Sequence, residues 1–194
     1  MATSMISRDD ASRAVAATLA AFGDQPVPPF RLVGTAAALL QGVELPTADV
    51  DILCRERAEV DGFAVALDHF PVLHPATWLP RDSQYYCNHD VGGVEVGVST
   101  VEVPYHGDAN ETLGEGPWIN HTMVEAGGFQ VSVSRLEVRL VTELHRGRPD
   151  RSEAIIVHLA ATTCDLGLLE HALEEAAVSD RVRVDVLSRL RPPR

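Results

Sequence analysis

Asp49 and Asp51 stand two residues apart in the run Asp49-Val50-Asp51-Ile52-Leu53-Cys54. Alternation in a β-branched run predicts a strand, and alternate side chains of a strand face opposite ways. Both carboxylates then share one face, with Ala48, Val50, Ile52 and Cys54 on the other. A second strand is read over 93–101, with Val94, Val96 and Val98 on one face and Gly93, Glu95, Gly97 and Ser99 opposite. Small residues around a single acid leave room for a bulky group beside the Glu95 carboxylate. If the two strands pair, Asp49, Asp51 and Glu95 converge on one floor. Carboxylates this close raise one another's pKa, and a divalent cation removes the conflict. Hard oxygen donors suit magnesium or manganese better than zinc. Glu102, seven residues after Glu95 and of opposite parity, is the second choice for the third acid. Asp-x-Asp alone is common on solvated strand edges, so the motif gains meaning only from its neighbours.

The neighbour that matters is Val33-Gly34-Thr35. It ends a short strand over 30–33 and opens a helix over 36–41 that Gly42 closes. Free backbone N–H groups at such a junction attract phosphate, the helix dipole adding about 0.3–1 kcal/mol. A glycine there lets a phosphate approach the backbone closely.

The remaining chain supplies the frame. A helix is read over 10–22, then Pro26, Pro28 and Pro29 punctuate the chain. Helical periodicity returns over 56–69, with Val60, Phe63, Ala64 and Leu67 along one side. Residues 71–90 are mixed, with a strand at 84–87. An acidic, glycine-rich loop spans 104–117 and is read as a solvated surface, its acids Asp108, Glu111 and Glu115 forming at most a wall for a cationic ligand. Segments 119–125 and 129–133 make a hairpin about Gly127-Gly128. From Ser134 onward the pattern is helical, broken near 147–149, Asp165 and Ser179. The reading is an α+β fold, with a core over 1–133 and a C-terminal helical segment over 134–194.

Composition narrows the partners. The net charge is −12, and all 16 basic residues are arginine. An acidic chain repels nucleic acid unless its arginines gather on one face. Without lysine, any side-chain phosphate contact must come from arginine, a planar bidentate donor. Cys54, Cys87 and Cys164 show no C-x-x-C spacing and are read as reduced thiols of the core. The eight histidines have no zinc spacing, and no Gly-x-Ser-x-Gly elbow is present. Apolar stretches such as 14–22 fall short of a membrane span, and the N-terminal residues lack a secretory pattern, so a cytoplasmic location is expected.

Taken together, Val33-Gly34-Thr35, thirteen residues, Asp49-Val50-Asp51-Ile52 and a later strand acid resemble the signature of the DNA polymerase β-like nucleotidyltransferase superfamily. The likeness is to its small bacterial branches: the minimal, AbiEii-type toxin and antibiotic nucleotidyltransferases. It implies a mixed β-sheet flanked by helices, with Gly34 and Thr35 on the triphosphate. It also implies Asp49 and Asp51 on magnesium, and Glu95 completing the metal site and activating an acceptor hydroxyl. A second stretch, Leu136-Glu-Val-Arg-Leu-Val-Thr-Glu-Leu-His-Arg-Gly-Arg-Pro-Asp-Arg151, resembles the helix and Arg-Pro-x-Asp turn that follow the catalytic sheet in several members. The lysine often found in that helix is absent, with Glu143 near its place, and Arg139 or Arg148 is the nearest substitute. The resemblance implies transfer of a nucleoside monophosphate from a triphosphate to an acceptor, with pyrophosphate released. The strong negative charge favours a cationic small-molecule acceptor over tRNA. Two rivals remain: a non-catalytic binding protein or toxin–antitoxin component on the same fold, and a tRNA- or protein-modifying enzyme.

Overall fold

The structure is a computed structural model that describes residues 5–103 and 109–191. The first helix, α1 (Arg8–Ala20), starts at a reciprocal cap: the Ser7 hydroxyl accepts from the Asp10 amide, and the Asp10 carboxylate accepts from the Ser7 amide. That satisfies two otherwise unpaired donors. Its inner face, Ala11, Ala14, Val15, Thr18 and Leu19, recurs at helical spacing and is buried. Strand β1 (Arg31–Val33) runs straight into α2 (Gly34–Leu40), after which come β2 (Asp49–Leu53) and α3 (Arg57–Ala66). Three further strands follow as β3 (Val72–Leu79), β4 (Gln84–Val91) and β5 (Val94–Ser99). Two single-turn helices, α4 (Ala109–Thr112) and α5 (Gly116–Ile119), lead to the hairpin β6 (His121–Ala126) and β7 (Phe129–Ser134). The chain ends in α6 (Leu136–His145), α7 (Pro149–Ala161), α8 (Leu166–Glu175) and α9 (Asp180–Leu190).

The described strands form one mixed sheet in the order β3-β4-β5-β2-β1-β7-β6. Strands β2 and β5 are parallel neighbours, β1 pairs antiparallel with β2, and β1 pairs parallel with β7. This is the α+β architecture expected from the sequence, with a mixed sheet supplied by residues 31–134 and helices after it. One strand went unread. β3 carries Pro75 and register shifts on either side of His74, features confined to sheet edges, and β3 is an edge strand.

Two apolar clusters hold the elements. The first joins α1, α2 and α3 to one face of the sheet through Leu32, Val50, Ile52, Val96 and Val98. Phe63 sits at its centre, with Phe22 and Phe30 edge-on at 5.0 and 5.8 Å. The second gathers α6 to α9 about Leu140, Ile155, Leu169 and Leu173, and includes Ala38 of α2. Helix α2, whose seven residues are all buried, therefore touches both clusters, and its start is fixed from two sides. Cys54 and Cys87 lie in the first cluster, where burial pushes both thiols up, and Cys164 is half-buried. Among the described residues no helix is long and apolar enough to cross a membrane.

Candidate functional site

The face of the sheet opposite the first cluster carries the acids. In the parallel register of β2 and β5, Asp49 stands beside Glu95 and Asp51 beside Gly97. Val33, the last residue of β1, faces Asp51 across the antiparallel pair. Gly34 follows with φ of +72°, and a Cβ there would overlap Asp51 Oδ2. Position 34 thus requires glycine twice, for its left-handed backbone and for the carboxylate packed against its α-carbon.

Neither aspartate is neutralised by its surroundings. Among the described residues, neither Asp49 nor Asp51 has an ion pair within 4 Å or a hydrogen bond to another side chain, and the Asp49 carboxylate accepts from its own backbone amide. Burial, then the neighbouring Asp49 charge, pushes Asp51 up to about 7, against the opposing charges of Arg139 and Arg146. Burial and the Glu95 charge likewise raise Asp49. Two hard carboxylates in this state fit a magnesium-sized cation, which is held by one or two carboxylates and completes its shell with water and substrate phosphates.

Glu95 is placed differently from the pair. Its Oε1 accepts from the Asn88 side-chain amide. Among the described residues no three histidine, cysteine or acidic side chains converge closely enough to hold a metal by themselves. Glu102 is engaged elsewhere, in a two-pronged pair with Arg57 at 2.7 and 2.9 Å.

Tyr86 and Asn88, which the sequence does not mark as site residues, complete this face. Tyr86 pairs with Ser99 and Asn88 with Gly97 across β4 and β5, so their side chains share the face of Glu95. A Cβ at Gly97 would meet the Tyr86 ring at 3.0 Å and its hydroxyl oxygen at 3.3 Å, so the glycine makes room for the ring. Burial, followed by the charges of Glu95, Asp51 and Asp49, raises the Tyr86 phenol and keeps it protonated. The signal was in the alternation of 84–91, which went unread beyond Cys87.

Above this floor lies a groove of about 410 Å³, lined by Gly34, Thr35, Asp49, Asp51 and Tyr86 on the sheet side. Its other wall carries Arg139 from α6, and Arg146, Arg148 and Arg151 from the α6–α7 junction. Arginines do gather on one face here, in a chain of net charge −12. Gly34, Thr35, Arg139 and Arg148, all expected near phosphate, line the same groove as Asp49 and Asp51.

Two expectations change. Glu111 was read as part of a solvated acidic loop, yet it is 1% exposed. Its Oε1 accepts from the Gly34 amide and its two oxygens accept from Arg139 Nη1, each at 3.0 Å. Burial alone would raise this acid, but Arg139, the Thr142 hydroxyl and the Gly34 amide outweigh it and hold it below the usual carboxylate range. An acid in a polar loop looks solvated until its partner, 28 residues downstream, is folded against it. Glu115 is exposed and pairs with Arg55 at 3.0 Å, and Asp108 lies outside the described residues. The second change concerns Arg139, which is not an open phosphate arm. It is 4% exposed and bonded to both Glu111 and Glu143, whose charges override the effect of burial and raise its pKa.

No family model matches the chain, and no curated protein sequence matches it. Solved structures do. One is a Thermotoga maritima protein put forward as a nucleotidyltransferase, 18% identical, with a TM-score of 0.54 over 82% of this chain and 98% of that one. Another is an antigenic nucleotidyltransferase-like protein from Paracoccidioides brasiliensis, 15% identical, with a TM-score of 0.51 over 96% of this chain and 94% of that one. At these identities the likeness is one of fold: this chain has a nucleotidyltransferase-type fold.

Proposed function

We propose that the groove binds a nucleoside triphosphate with magnesium or manganese and passes its nucleoside monophosphate to an acceptor hydroxyl. The observation that carries this reading is the opposition within one groove of Asp49 and Asp51, two raised carboxylates with no ion-paired cation among the described residues, and the arginines of the α6–α7 junction. A metal–triphosphate complex complements both at once, placing its cation on the acids and its oxygens on the guanidiniums. The bound cation would supply charge neutralisation of the transferred phosphoryl group and its leaving pyrophosphate. Arg148 and Arg151 orient the polyphosphate, each already drawn toward Glu143 at 3.7 Å. Thr35 lines the same end of the groove and offers its hydroxyl. Glu95, adjacent to Asp49, takes the acceptor proton, with Asn88 fixing its carboxylate. Bond making at phosphorus and loss of pyrophosphate leave the acceptor as a nucleotidyl ester.

A small molecule is the favoured acceptor, because the arginines gathered in the groove are assigned to the triphosphate and the rest of a chain of net charge −12 disfavours a polyanion such as tRNA. The described acids of the 109–119 segment do not add to that preference, since Glu111 is buried and Glu115 is paired. One observation favours a second reading, a non-catalytic nucleotide-binding protein: the Glu95 carboxylate is taken up by Asn88 and not gathered with the two aspartates. Incubation with each labelled triphosphate, magnesium and a panel of hydroxyl and amine-bearing acceptors decides between them. Label transfer that vanishes in Asp51→Asn supports the transferase. Metal-dependent triphosphate binding without transfer to any acceptor, nor to the protein itself, supports the binder.

A further inference from the structure

The Gly34 amide, expected to meet phosphate, is already occupied by an anion of the same chain. Glu111 Oε1 accepts from the Gly34 N–H at 3.0 Å and from Ser134 Oγ at 3.3 Å, while Arg139 Nη1 reaches both carboxylate oxygens at 3.0 Å. A backbone amide, a hydroxyl and a guanidinium form a receptor for any compact oxyanion, and they distinguish poorly between a carboxylate and a phosphoryl group. This receptor opens on the groove that holds Asp49 and Asp51, and Glu111 itself lines that groove. Gly34, whose α-carbon is packed against Asp51, ties the anion position to the acidic floor.

We propose that Glu111 is an internal stand-in for a phosphoryl group, which leaves the receptor when a polyphosphate enters and so acts as an intramolecular competitor for it. The proposal rests on reading the groove as a triphosphate site. Three features of the molecule make the exchange feasible. Arg139 keeps Glu143 when Glu111 departs, so no buried cation is left alone. Arg139 Nε, buried and without a hydrogen-bond partner among the described residues, leaves that guanidinium with a donor for a larger anion. Glu111 rides on α4, a helix of only four residues, whose Asn110 has an exposed side-chain contact to Glu175 and a half-buried one to Asn120. A single-turn helix closes few backbone hydrogen bonds of its own, so moving it costs chiefly the Glu111 bonds that an incoming anion replaces.

Inorganic tripolyphosphate is the probe, titrated calorimetrically into the full chain and into Glu111→Gln and Glu111→Ala. The expected result is binding at least about tenfold tighter in both variants, since the competing charge is gone. Equal or weaker binding in a folded variant overturns the proposal and makes Glu111 a tie that merely seats α4. Hydrogen exchange on the unaltered chain gives an independent reading should the variants not fold. Tripolyphosphate should speed exchange over 110–112, and unchanged or slower exchange there overturns the proposal. The underlying reading fails separately. A gain in Glu111→Gln from a parent that transfers no nucleotide supports the anion site and overturns the transferase. No gain, from a parent that does transfer, overturns the competitor alone.

Discussion

At Arg139 burial of charge is compensated: Glu111 on one side, Glu143 on the other, with the Gly34 amide and Ser134 hydroxyl completing the set. At Asp49 and Asp51, in the same groove, it is not. There burial raises both acids, and among the described residues no cation pairs with either within 4 Å. Buried ions are ordinarily paired because an uncompensated charge in low dielectric is costly. The contrast separates a cluster that holds the fold together from one that waits for a ligand. It also explains why buried Glu111 is held below the usual carboxylate range while half-buried Asp51 is raised.

The comparison breaks most visibly through activity. Asp49→Asn or Asp51→Asn should cut transfer by about 100-fold or more, roughly 2.7 kcal/mol of barrier, while circular dichroism stays unchanged. Turnover within a factor of two of the parent would move the chemistry elsewhere.

On the compensated side the effect should be on stability. Arg139→Met leaves Glu111 and Glu143 facing one another without their shared partner, an arrangement that typically costs about 3–5 kcal/mol. Urea unfolding monitored by tryptophan fluorescence reads this directly as a fall in midpoint. A loss under about 1 kcal/mol would mean that the network is neutral to folding, as some buried ion networks are.

Between these extremes lie two half-buried arginines. Arg148 and Arg151 stand 3.7 Å from Glu143, which Arg139 already bonds, so their removal should alter stability by no more than about 1 kcal/mol. Triphosphate affinity should fall by roughly tenfold in Arg148→Ala with Arg151→Ala, about 1.4 kcal/mol, and the deficit should shrink at high salt. An affinity unchanged in calorimetry would show that these two side chains serve Glu143 and not the ligand.

How much of this was legible beforehand divides along the same line. The β2 and β5 alternation placed Asp49, Asp51 and Glu95 on one face, because strand parity is local and the register only had to bring adjacent strands together. Gly34-Thr35 at the start of α2 was legible for a similar reason, as a glycine at a strand-to-helix junction. The order of helices after Ser134 followed from their breaks. Glu111 could not be read. Its environment is made by Gly34, 77 residues before it, and Arg139, 28 after it. Local polarity pointed the wrong way. Nor was Asn88 visible as the partner of Glu95, because β4 was read only as far as Cys87 and its facing register was needed.

The smallest effect is also the one that most directly measures the missing compensation. Asp51 has its pKa raised to about 7 in the fold, against 3.8 for the free side chain. Between these values the folded chain binds a proton that the unfolded chain lacks, so stability must fall as pH rises. The favourable contribution of protonated Asp51 is therefore complete below about 3.8 and lost as pH rises through about 7. Asp51→Asn is neutral at every pH and has no such dependence at this position. The variant should accordingly melt above the parent at pH 8, by about 2–4 °C for each kcal/mol recovered in a chain of this size. That gap should narrow steadily toward pH 5, where the parent carries its own proton. Acids away from Asp51 and its charged neighbours titrate alike in both proteins and cancel in the difference, which is why the variant and not the bare pH profile is the measurement. Magnesium with a non-hydrolysable triphosphate should close the gap at pH 8 from the other side, stabilising the parent and leaving Asp51→Asn nearly unmoved. A variant that melts no higher than the parent at pH 8, or a gap independent of pH, would mean that Asp51 is compensated after all and that the two charge clusters do not differ in kind.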